Sequence, residues 1–506
     1  MWLLRVVCTL VALVVLLPLL YVVGYTVDAG WSQITRLIFR ERVLELAWNT
    51  VRLTLATIAT CAVVGTGTAW LIGRTAIRGR RGWHVLMVAP LAIPAFVNSY
   101  AWVSLVPGMQ GFGGALVIVT LSYFPLVYLP TVAALRRLDP AVEESARSLG
   151  VAPLGVFLRV VLPQLRLPIV GGSLIIGLHL LSEYGAFALI RFDTFTTAIV
   201  DQFRSTFNGP AANALAGVLV LCCLVLLMGE SGARGTARYA RIGAGSARPA
   251  ERSRLGAWSP AAYLFLTVLV LLSVAVPLTS FGRWLASGGI AAWSDRYLLN
   301  ALGQTVGYGL VGALVTCLLA FPIALLAVRF PGRVARILES INYVTSSLPG
   351  LVTALAFVTV AIRLVPALYQ TAALVIVVYL LMFLPRAIVN LRSGLAQVPL
   401  GLEEAARSLG RPPLLAFFTV TLRFVMPSAL AGAALVFLGI VTELTSTLLL
   451  APNGTRTLAI QFWSRVNDID YVGAAPYASL MILLSLPVTY LLFARSRSKS
   501  TAVNSL

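Results

Sequence analysis

Apolar stretches of about 20 residues recur along the whole chain, and they constrain its fold more than any other feature. The hydrocarbon core of a bilayer is about 30 Å thick, and a helix crosses it with about 20 apolar residues. The 506 residues are 59% hydrophobic and 11% charged, which leaves too little polar surface to cover a water-soluble protein of this size. The sequence therefore predicts an all-α polytopic membrane protein.

About twelve segments have the length and composition of a transmembrane helix. They lie at residues 3–25, 50–73, 84–106, 112–136, 168–190, 211–228, 260–280, 303–328, 338–362, 371–392, 428–450 and 472–493. The first follows Arg5, as in a secretory signal, but no small-residue cleavage site follows it. We therefore expect this segment to be retained as an anchor.

Arginines account for most of the net charge of +20, and their positions predict the orientation of the chain. They cluster after the second, sixth, eighth and last predicted spans. If the chain starts in the cytoplasm, all these clusters lie on the cytoplasmic side, as the positive-inside rule requires. We therefore expect a multi-pass membrane protein with both termini cytoplasmic. The basic charge suits a lipid bilayer and not nucleic acid.

One motif occurs twice and divides the chain into two related halves. Residues 143–150, EESARSLG, recur 260 positions later as residues 403–410, EEAARSLG, and Pro125 recurs at the same spacing as Pro385. The pattern predicts two parallel repeats of about six helices each. The predicted domains are a first repeat at 1–228, an Arg/Gly/Ser-rich cytoplasmic linker at 229–259, a second repeat at 260–494 and a cytoplasmic tail at 495–506.

The repeated motif falls in a predicted cytoplasmic loop between the fourth and fifth spans of each half. Each copy has the pattern of a short polar helix, a glycine break and a second, amphipathic helix. Glu143 with Arg147, and Glu403 with Arg407, have the i, i+4 spacing of surface ion pairs, which contribute about 0.3–0.5 kcal/mol each. Surface pairing explains these charges, but only a docking role explains why the whole element is repeated.

These loops resemble the signature loop of permease subunits in binding-protein-dependent ABC importers, whose pattern is E-A-A, three residues, G, nine residues and I-x-L-P. The first copy ends in VVLP at 160–163, and the second ends in VTLR at 420–423, where an arginine replaces the proline. The resemblance implies coupling helices that bind two ABC ATPase subunits on the cytoplasmic face. The candidate coupling residues are Glu143, Glu144, Ala146, Arg147 and Gly150 in the first loop and Glu403, Glu404, Ala406, Arg407 and Gly410 in the second.

The chain lacks the lysine-containing phosphate-binding loop of an ATPase, because its single lysine is Lys499 in the tail. We therefore expect no catalytic residue and no cofactor in this chain, with ATP and Mg bound by the partner subunits. The resemblance also implies a location in the bacterial plasma (inner) membrane and an external or periplasmic solute-binding protein. Charged residues of the predicted external loops, such as Arg465 and Asp470, are either contacts for that protein or solvated charges.

Glu183 and Glu443 lie within predicted spans, each 40 residues after the first glutamate of its loop motif. Ionisable groups within spans usually face a cavity or the protein interior. Glu183, Glu443 and His179, one turn before Glu183, are therefore candidate residues of the translocation pathway. The alternative is that both glutamates only hydrogen-bond neighbouring helices. His179 has no counterpart, because Gly439 occupies the equivalent position.

Two carboxylates favour a cation over an oxyanion, so Glu183 and Glu443 are also candidate transient metal contacts. Residues 443–459 resemble fused permeases of the ferric iron importer group, which implies ferric iron as the cargo. Thiamine, polyamine and aminophosphonate importers have similar subunits and supply the alternative cargoes. An ion-gradient-driven secondary transporter and a membrane enzyme are alternatives from other classes; the twin loop argues against the first, and the sequence offers no clustered catalytic residues for the second.

Overall fold

The computed structural model describes residues 2–29, 36, 39–136, 138–205, 209–234, 253, 255–345 and 348–501. Within these ranges the regular elements are helices, apart from one isolated bridge between Thr75 and Ser253. Most of the predicted linker, at 235–252 and 254, and the end of the predicted tail, at 502–506, lie outside the described residues. The predicted all-α architecture is confirmed.

Long apolar helices alternate with short ones in both halves of the chain. The first half contains α1 (Trp2–Ala29), α2 (Glu41–Arg74), α3 (Arg80–Val88), α4 (Ala95–Leu105), α5 (Gly111–Tyr123), α6 (Pro125–Leu135), α7 (Pro140–Ser148), α8 (Pro153–Val156), α9 (Leu162–Gln164), α10 (Arg166–Leu180), α11 (Gly185–Ile190), α12 (Phe195–Arg204) and α13 (Gly209–Arg234). The second half contains α14 (Ser259–Val270), α15 (Val276–Gly288), α16 (Leu298–Arg329), α17 (Arg333–Thr345), α18 (Gly350–Leu364), α19 (Ala372–Leu395), α20 (Leu400–Ser408), α21 (Pro413–Ala416), α22 (Leu422–Val441), α23 (Thr445–Leu450), α24 (Leu458–Asn467) and α25 (Tyr471–Thr501). Single π-helical turns at Phe157–Val161 and Phe417–Thr421 occupy equivalent places in the two halves.

Nine helices among the described residues are long and apolar enough to cross a membrane. Two further pairs bend sharply at a short break, and counting each pair as one span gives up to eleven. The first pair, Arg80–Ala92 with Ala95–Leu105, bends by 93° at Pro94, which has no backbone N–H to continue the helix. The chain is therefore a multi-pass membrane protein in which several predicted spans are broken helices.

One compact unit, here called the N-terminal unit, consists of residues 39–206, 221–287 and 489–506. Helices α2, α6 and α10 pack against one another in its core, and α4 packs against α11. Glycines permit the close approach to α6. A Cβ at Gly65 of α2 would lie 2.9 Å from Cβ of Val127, and a Cβ at Gly172 of α10 would lie 2.7 Å from the carbonyl oxygen of Leu126.

The other compact unit, the C-terminal unit, consists of residues 1–38, 207–220 and 288–488. Helices α16, α19 and α22 form its core, and α18 packs against α23, which repeats the arrangement of the N-terminal unit. Helix α1 packs against α17 and α18 in this unit, whereas α14 packs against α3 in the N-terminal unit. The compact units therefore exchange the first helices of the two sequence repeats, so repeat and unit boundaries differ.

Candidate coupling loops and membrane pathway

The polar helix predicted in each loop is present, as α7 in the first loop and α20 in the second. Asp139 caps α7, because its Oδ1 atom accepts a hydrogen bond from the backbone N–H of Ala141 at 3.0 Å. Pro140 then occupies the first turn, where no backbone N–H is needed. In the second loop Pro399 lies at the N-cap of α20. Local sequence thus fixes where both helices begin.

Each loop helix ends in the same glycine cap. Gly150 has a φ of 81° and Gly410 a φ of 87°, in the left-handed region that glycine adopts without a steric cost. The N–H of Gly150 donates to the carbonyl of Arg147, and the N–H of Val151 donates to that of Ala146. The same two bonds recur at Gly410. Both helices therefore end in a Schellman motif, which sets the angle at which the next helix leaves.

The first glutamate of the first motif anchors the loop to a core helix. Glu143 Oε1 lies 2.8 Å from Nη2 of Arg74, the last residue of α2, and the two side chains are only 10% and 8% exposed. The predicted partner Arg147 also contacts Glu143, but at 3.8 Å and with its own side chain 41% exposed. The buried pair with Arg74 is therefore the stronger of the two contacts.

The second loop is anchored in the same way. Glu403 Oε2 lies 3.5 Å from Nη2 of Arg329, the last residue of α16, and it accepts a hydrogen bond from the hydroxyl of Thr421 at 2.8 Å. Arg74–Glu143 and Arg329–Glu403 are called the loop-anchoring pairs below. Sequence spacing missed both arginines, because each belongs to the preceding core helix and not to the loop.

The opposite face of each loop helix is exposed. Glu144 and Arg147 in the first loop are exposed, as are Glu404 and Arg407 in the second. Ala146 is half-buried and Ala406 is buried beneath this face. Leucines also project from both loops: Leu149 is 83% exposed and Leu409 is 85% exposed. Each loop therefore presents a mixed charged and apolar surface, and its opposite face is tied to a core helix by a loop-anchoring pair.

Glu183 lies between two helices and not within a continuous span, so the predicted helix over 168–190 is wrong. Helix α10 ends at Leu180, and the short helix α11 begins at Gly185. Glu183 Oε1 accepts a hydrogen bond from the N–H of Ala186 at 2.9 Å, which caps α11, and Oε2 accepts one from the Tyr123 hydroxyl at 3.0 Å.

Glu443 interrupts the predicted span over 428–450 in the same manner. Helix α22 ends at Val441, and α23 begins at Thr445. Glu443 Oε1 accepts a hydrogen bond from the N–H of Ser446 at 2.9 Å. Each glutamate thus caps the short helix that follows it, and both remain half-buried.

The surroundings of the two glutamates differ. In the N-terminal unit the ring of His179 lies 5.6 Å from the ring of Tyr123, between centroids. In the C-terminal unit Arg386 lies close enough to Glu443 to attract it electrostatically, and its guanidinium stacks 4.9 Å above the Phe383 ring. The sequence interpretation missed Arg386, which supplies a positive charge beside one of the two carboxylates.

The described residues contain no group of three or more His, Cys, Asp or Glu side chains arranged to hold a metal ion. Arg465, a candidate contact for an external protein, pairs within the chain with Asp295 at 2.6 Å and Asp470 at 2.8 Å. Burial alone would raise the pKa of Asp295, but hydrogen bonds from the Tyr297 N–H, the Tyr477 hydroxyl and Arg465 lower it. These charges stabilise a loop of the C-terminal unit.

Comparison with known proteins places these features in context. Residues 65–230 and 317–498 each match the family described as binding-protein-dependent transport system inner membrane component. The Fe(3+)-transport system permease protein FbpB 2 of Haemophilus influenzae is 36% identical over 480 residues, covering 94% of this chain and 95% of the relative. The ferric transport system permease protein FbpB of Actinobacillus pleuropneumoniae is 22% identical, covering 82% of this chain and 62% of the relative. The sulfate transport system permease protein CysT of Salmonella typhimurium is 30% identical, covering 43% of this chain and 86% of the relative.

Proposed function

This chain belongs to the binding-protein-dependent transport system inner membrane components, the permease subunits of ABC importers, and we propose that its importer carries ferric iron. The permease supplies the membrane pathway. Two separate ABC ATPase subunits supply the energy from the cytoplasmic face, and an external binding protein delivers the cargo. Both termini of the chain lie in the cytoplasm, and ATP and Mg are bound by the ATPase subunits alone.

The observation that carries the coupling role is the matched construction of the two loops. In each loop a buried or half-buried glutamate ties the helix to the end of a core helix, while the other face exposes charges and a leucine. The same leucine is exposed beside the same charges in both loops, and this repetition favours a protein partner on that face. A helix held by a core helix on one side and by an ATPase on the other transmits movement between them.

Ferric iron is favoured by the long match to a ferric permease, which covers 94% of this chain. The charge argument for a cation is weaker than the sequence suggested, because Arg386 offsets the charge of Glu443. The similarity to a sulfate permease, over 43% of this chain, therefore makes sulfate a necessary comparison. Thiamine, polyamine and aminophosphonate are the other cargoes to compare.

Reconstitution of the complete importer in proteoliposomes tests this proposal. The chain, its ATPase subunits and its binding protein are combined, and ATP-dependent uptake of ferric iron is measured beside that of sulfate, thiamine, a polyamine and an aminophosphonate. We expect uptake of ferric iron alone. Uptake of another of these solutes in its place would reject the ferric assignment.

Paired variants in the same preparation test the coupling role. Leu149→Glu and Leu409→Glu place a charge in the proposed contact with the ATPase, and we expect them to reduce ATPase binding and uptake together. Leu368→Glu is the matched control, because Leu368 is 41% exposed but lies in the loop between α18 and α19. This loop follows the ninth predicted span, so a chain that starts in the cytoplasm has it on the external side. Equal ATPase binding by all three variants would reject the docking surface.

A further inference from the structure

The two glutamates that cap α11 and α23 are equivalent in sequence and in backbone position, but the side chains around them are not equivalent. Tyr123, which donates to Glu183, corresponds to Phe383, and His179 corresponds to Gly439. Arg386 in turn corresponds to Leu126. The repeat thus conserves the cap and changes the chemistry next to it.

The N-terminal unit groups a carboxylate, a phenol and an imidazole. The Tyr123 hydroxyl donates to Glu183 at 3.0 Å, and the His179 ring lies beside the Tyr123 ring. His179 Nδ1 lies 2.8 Å from the carbonyl oxygen of Ile175. A carbonyl only accepts, so Nδ1 carries the proton and a neutral ring has its lone pair on Nε2. All three side chains are half-buried, and the oxygen and nitrogen atoms they offer suit a hard or intermediate cation.

The C-terminal unit replaces this group with a positive charge. A Cβ at Gly439 would lie 2.6 Å from the Phe383 ring and 2.9 Å from Nη1 of Arg386. The missing side chain at Gly439 is therefore what makes room for Arg386 near Glu443. With the guanidinium present, the combined formal charge of Arg386 and Glu443 is zero, and a cation gains little from approaching this carboxylate.

We propose that Tyr123, His179 and Glu183 form the cation-contacting site of the pathway, whereas Glu443 serves as a helix cap whose charge Arg386 neutralises. This inference rests on the proposed function, since it assigns the contact for a cationic cargo. Under this proposal, only one half of the duplicated permease contacts the cation. The contact is weak and transient, because a permeation site must also release its cargo.

The test compares substitutions that keep both helix caps. Glu183→Gln and Glu443→Gln each retain an amide oxygen that accepts the capping N–H, and each removes the charge. In Glu183→Gln the amide NH2 group also replaces the oxygen that accepts from the Tyr123 hydroxyl. In the reconstituted importer we expect Glu183→Gln to lower ferric iron uptake by about 10-fold or more, the effect of losing one charge-assisted contact. Tyr123→Phe, which copies the second half, lowers it by about 3-fold, because it removes one uncharged oxygen from the site and leaves the charge of Glu183 in place. Glu443→Gln stays within about 2-fold of the unmodified protein, as expected for a cap that keeps its acceptor.

ATPase activity stimulated by the binding protein is measured on the same samples. We expect it to be retained, so that Glu183→Gln hydrolyses more ATP per iron atom carried. If Glu183→Gln does not assemble, Tyr123→Phe decides the question. Equal losses in Glu183→Gln and Glu443→Gln, or full uptake in both Glu183→Gln and Tyr123→Phe, would overturn the unequal assignment. Failure of the unmodified importer to carry ferric iron would instead overturn the proposed function, and this inference with it.

Discussion

The Arg74–Glu143 pair offers the sharpest test of how the first coupling loop is held. The two side chains are 8% and 10% exposed, and the contact distance is 2.8 Å. Removing one partner of a buried ion pair costs about 3–5 kcal/mol, because the remaining charge stays buried without compensation. About 1.4 kcal/mol corresponds to a factor of ten in an equilibrium constant. Arg74→Gln therefore shifts the equilibrium between the native and displaced positions of the loop by about 100-fold or more toward the displaced one.

Arg147→Gln is the matched control, because Arg147 contacts the same carboxylate from the exposed side, at 3.8 Å. An exposed helical pair contributes about 0.3–0.5 kcal/mol, so this change has little effect on how the loop is held. The double substitution of Arg74 and Glu143 to Gln removes both buried charges. We expect it to recover much of the loss, as the double-mutant cycle of a direct contact requires.

The assay is titration of the permease in nanodiscs with its ATPase subunit, followed by ATP hydrolysis in the presence of the binding protein. We expect Arg74→Gln to lower the apparent affinity by at least about 10-fold, because the second loop still binds and limits the total loss. Arg147→Gln stays close to the unmodified protein. An equal or larger defect in Arg147→Gln would refute the role assigned to the buried pair.

Three further predictions follow from local geometry. Gly150→Val forces a β-branched residue into the left-handed region, which costs about 1–2 kcal/mol. We expect it to weaken ATPase binding, measured by the same titration, more than Gly150→Asn does. Equal effects of the two substitutions would contradict the glycine-cap argument. Gly439→Ala places a Cβ against the Phe383 ring and lowers the free energy of unfolding by about 1–3 kcal/mol. Gly171→Ala is the control and leaves it unchanged, because nothing lies within 4 Å of the new atom. Equal melting temperatures of the two variants would contradict the close packing at Gly439. Because the pKa of Asp295 is lowered on folding, its contribution to stability is present above the ordinary pKa of 3.8 and is lost as pH falls through the folded pKa. We therefore expect the melting temperature of Asp295→Asn to fall less than that of the unmodified protein as pH is lowered through that range. An equal fall in both proteins would contradict this.

The features predicted correctly from sequence are those set by local pattern. Apolar segment length predicted the all-α membrane fold, and the duplicated motif marked both loop helices with their terminal glycines. A Schellman cap depends on a few neighbouring residues and on a glycine that tolerates positive φ, which explains why Gly150 and Gly410 stood out. Such signals survive without knowledge of tertiary contacts.

The features that sequence missed depend on packing between distant segments. Arg74 and Arg329 lie at the ends of core helices, and two predicted spans separate each arginine from its partner. No local spacing therefore links them to Glu143 and Glu403. Arg386 follows a proline in an apolar span, and its proximity to Glu443 depends on the space left by Gly439 across two helices.

Helix breaks form a second class of features that hydropathy does not locate. Apolar residues resume after the breaks before Gly185 and Thr445, so each broken element was predicted as a single span. Capping by a glutamate side chain decides where the new helix begins, and that bond is visible only in three dimensions. The exchange of α1 and α14 between compact units is likewise a matter of tertiary packing.

Photo-crosslinking at Leu149 and Leu409 tests the central claim, that both loops bind the ATPase subunits, most directly. A photoreactive side chain replaces each leucine in turn within the assembled importer, and crosslinked products are identified by mass. The account predicts crosslinks to an ATPase subunit from both positions. Assembled, active importer with no ATPase crosslink from either position would contradict it.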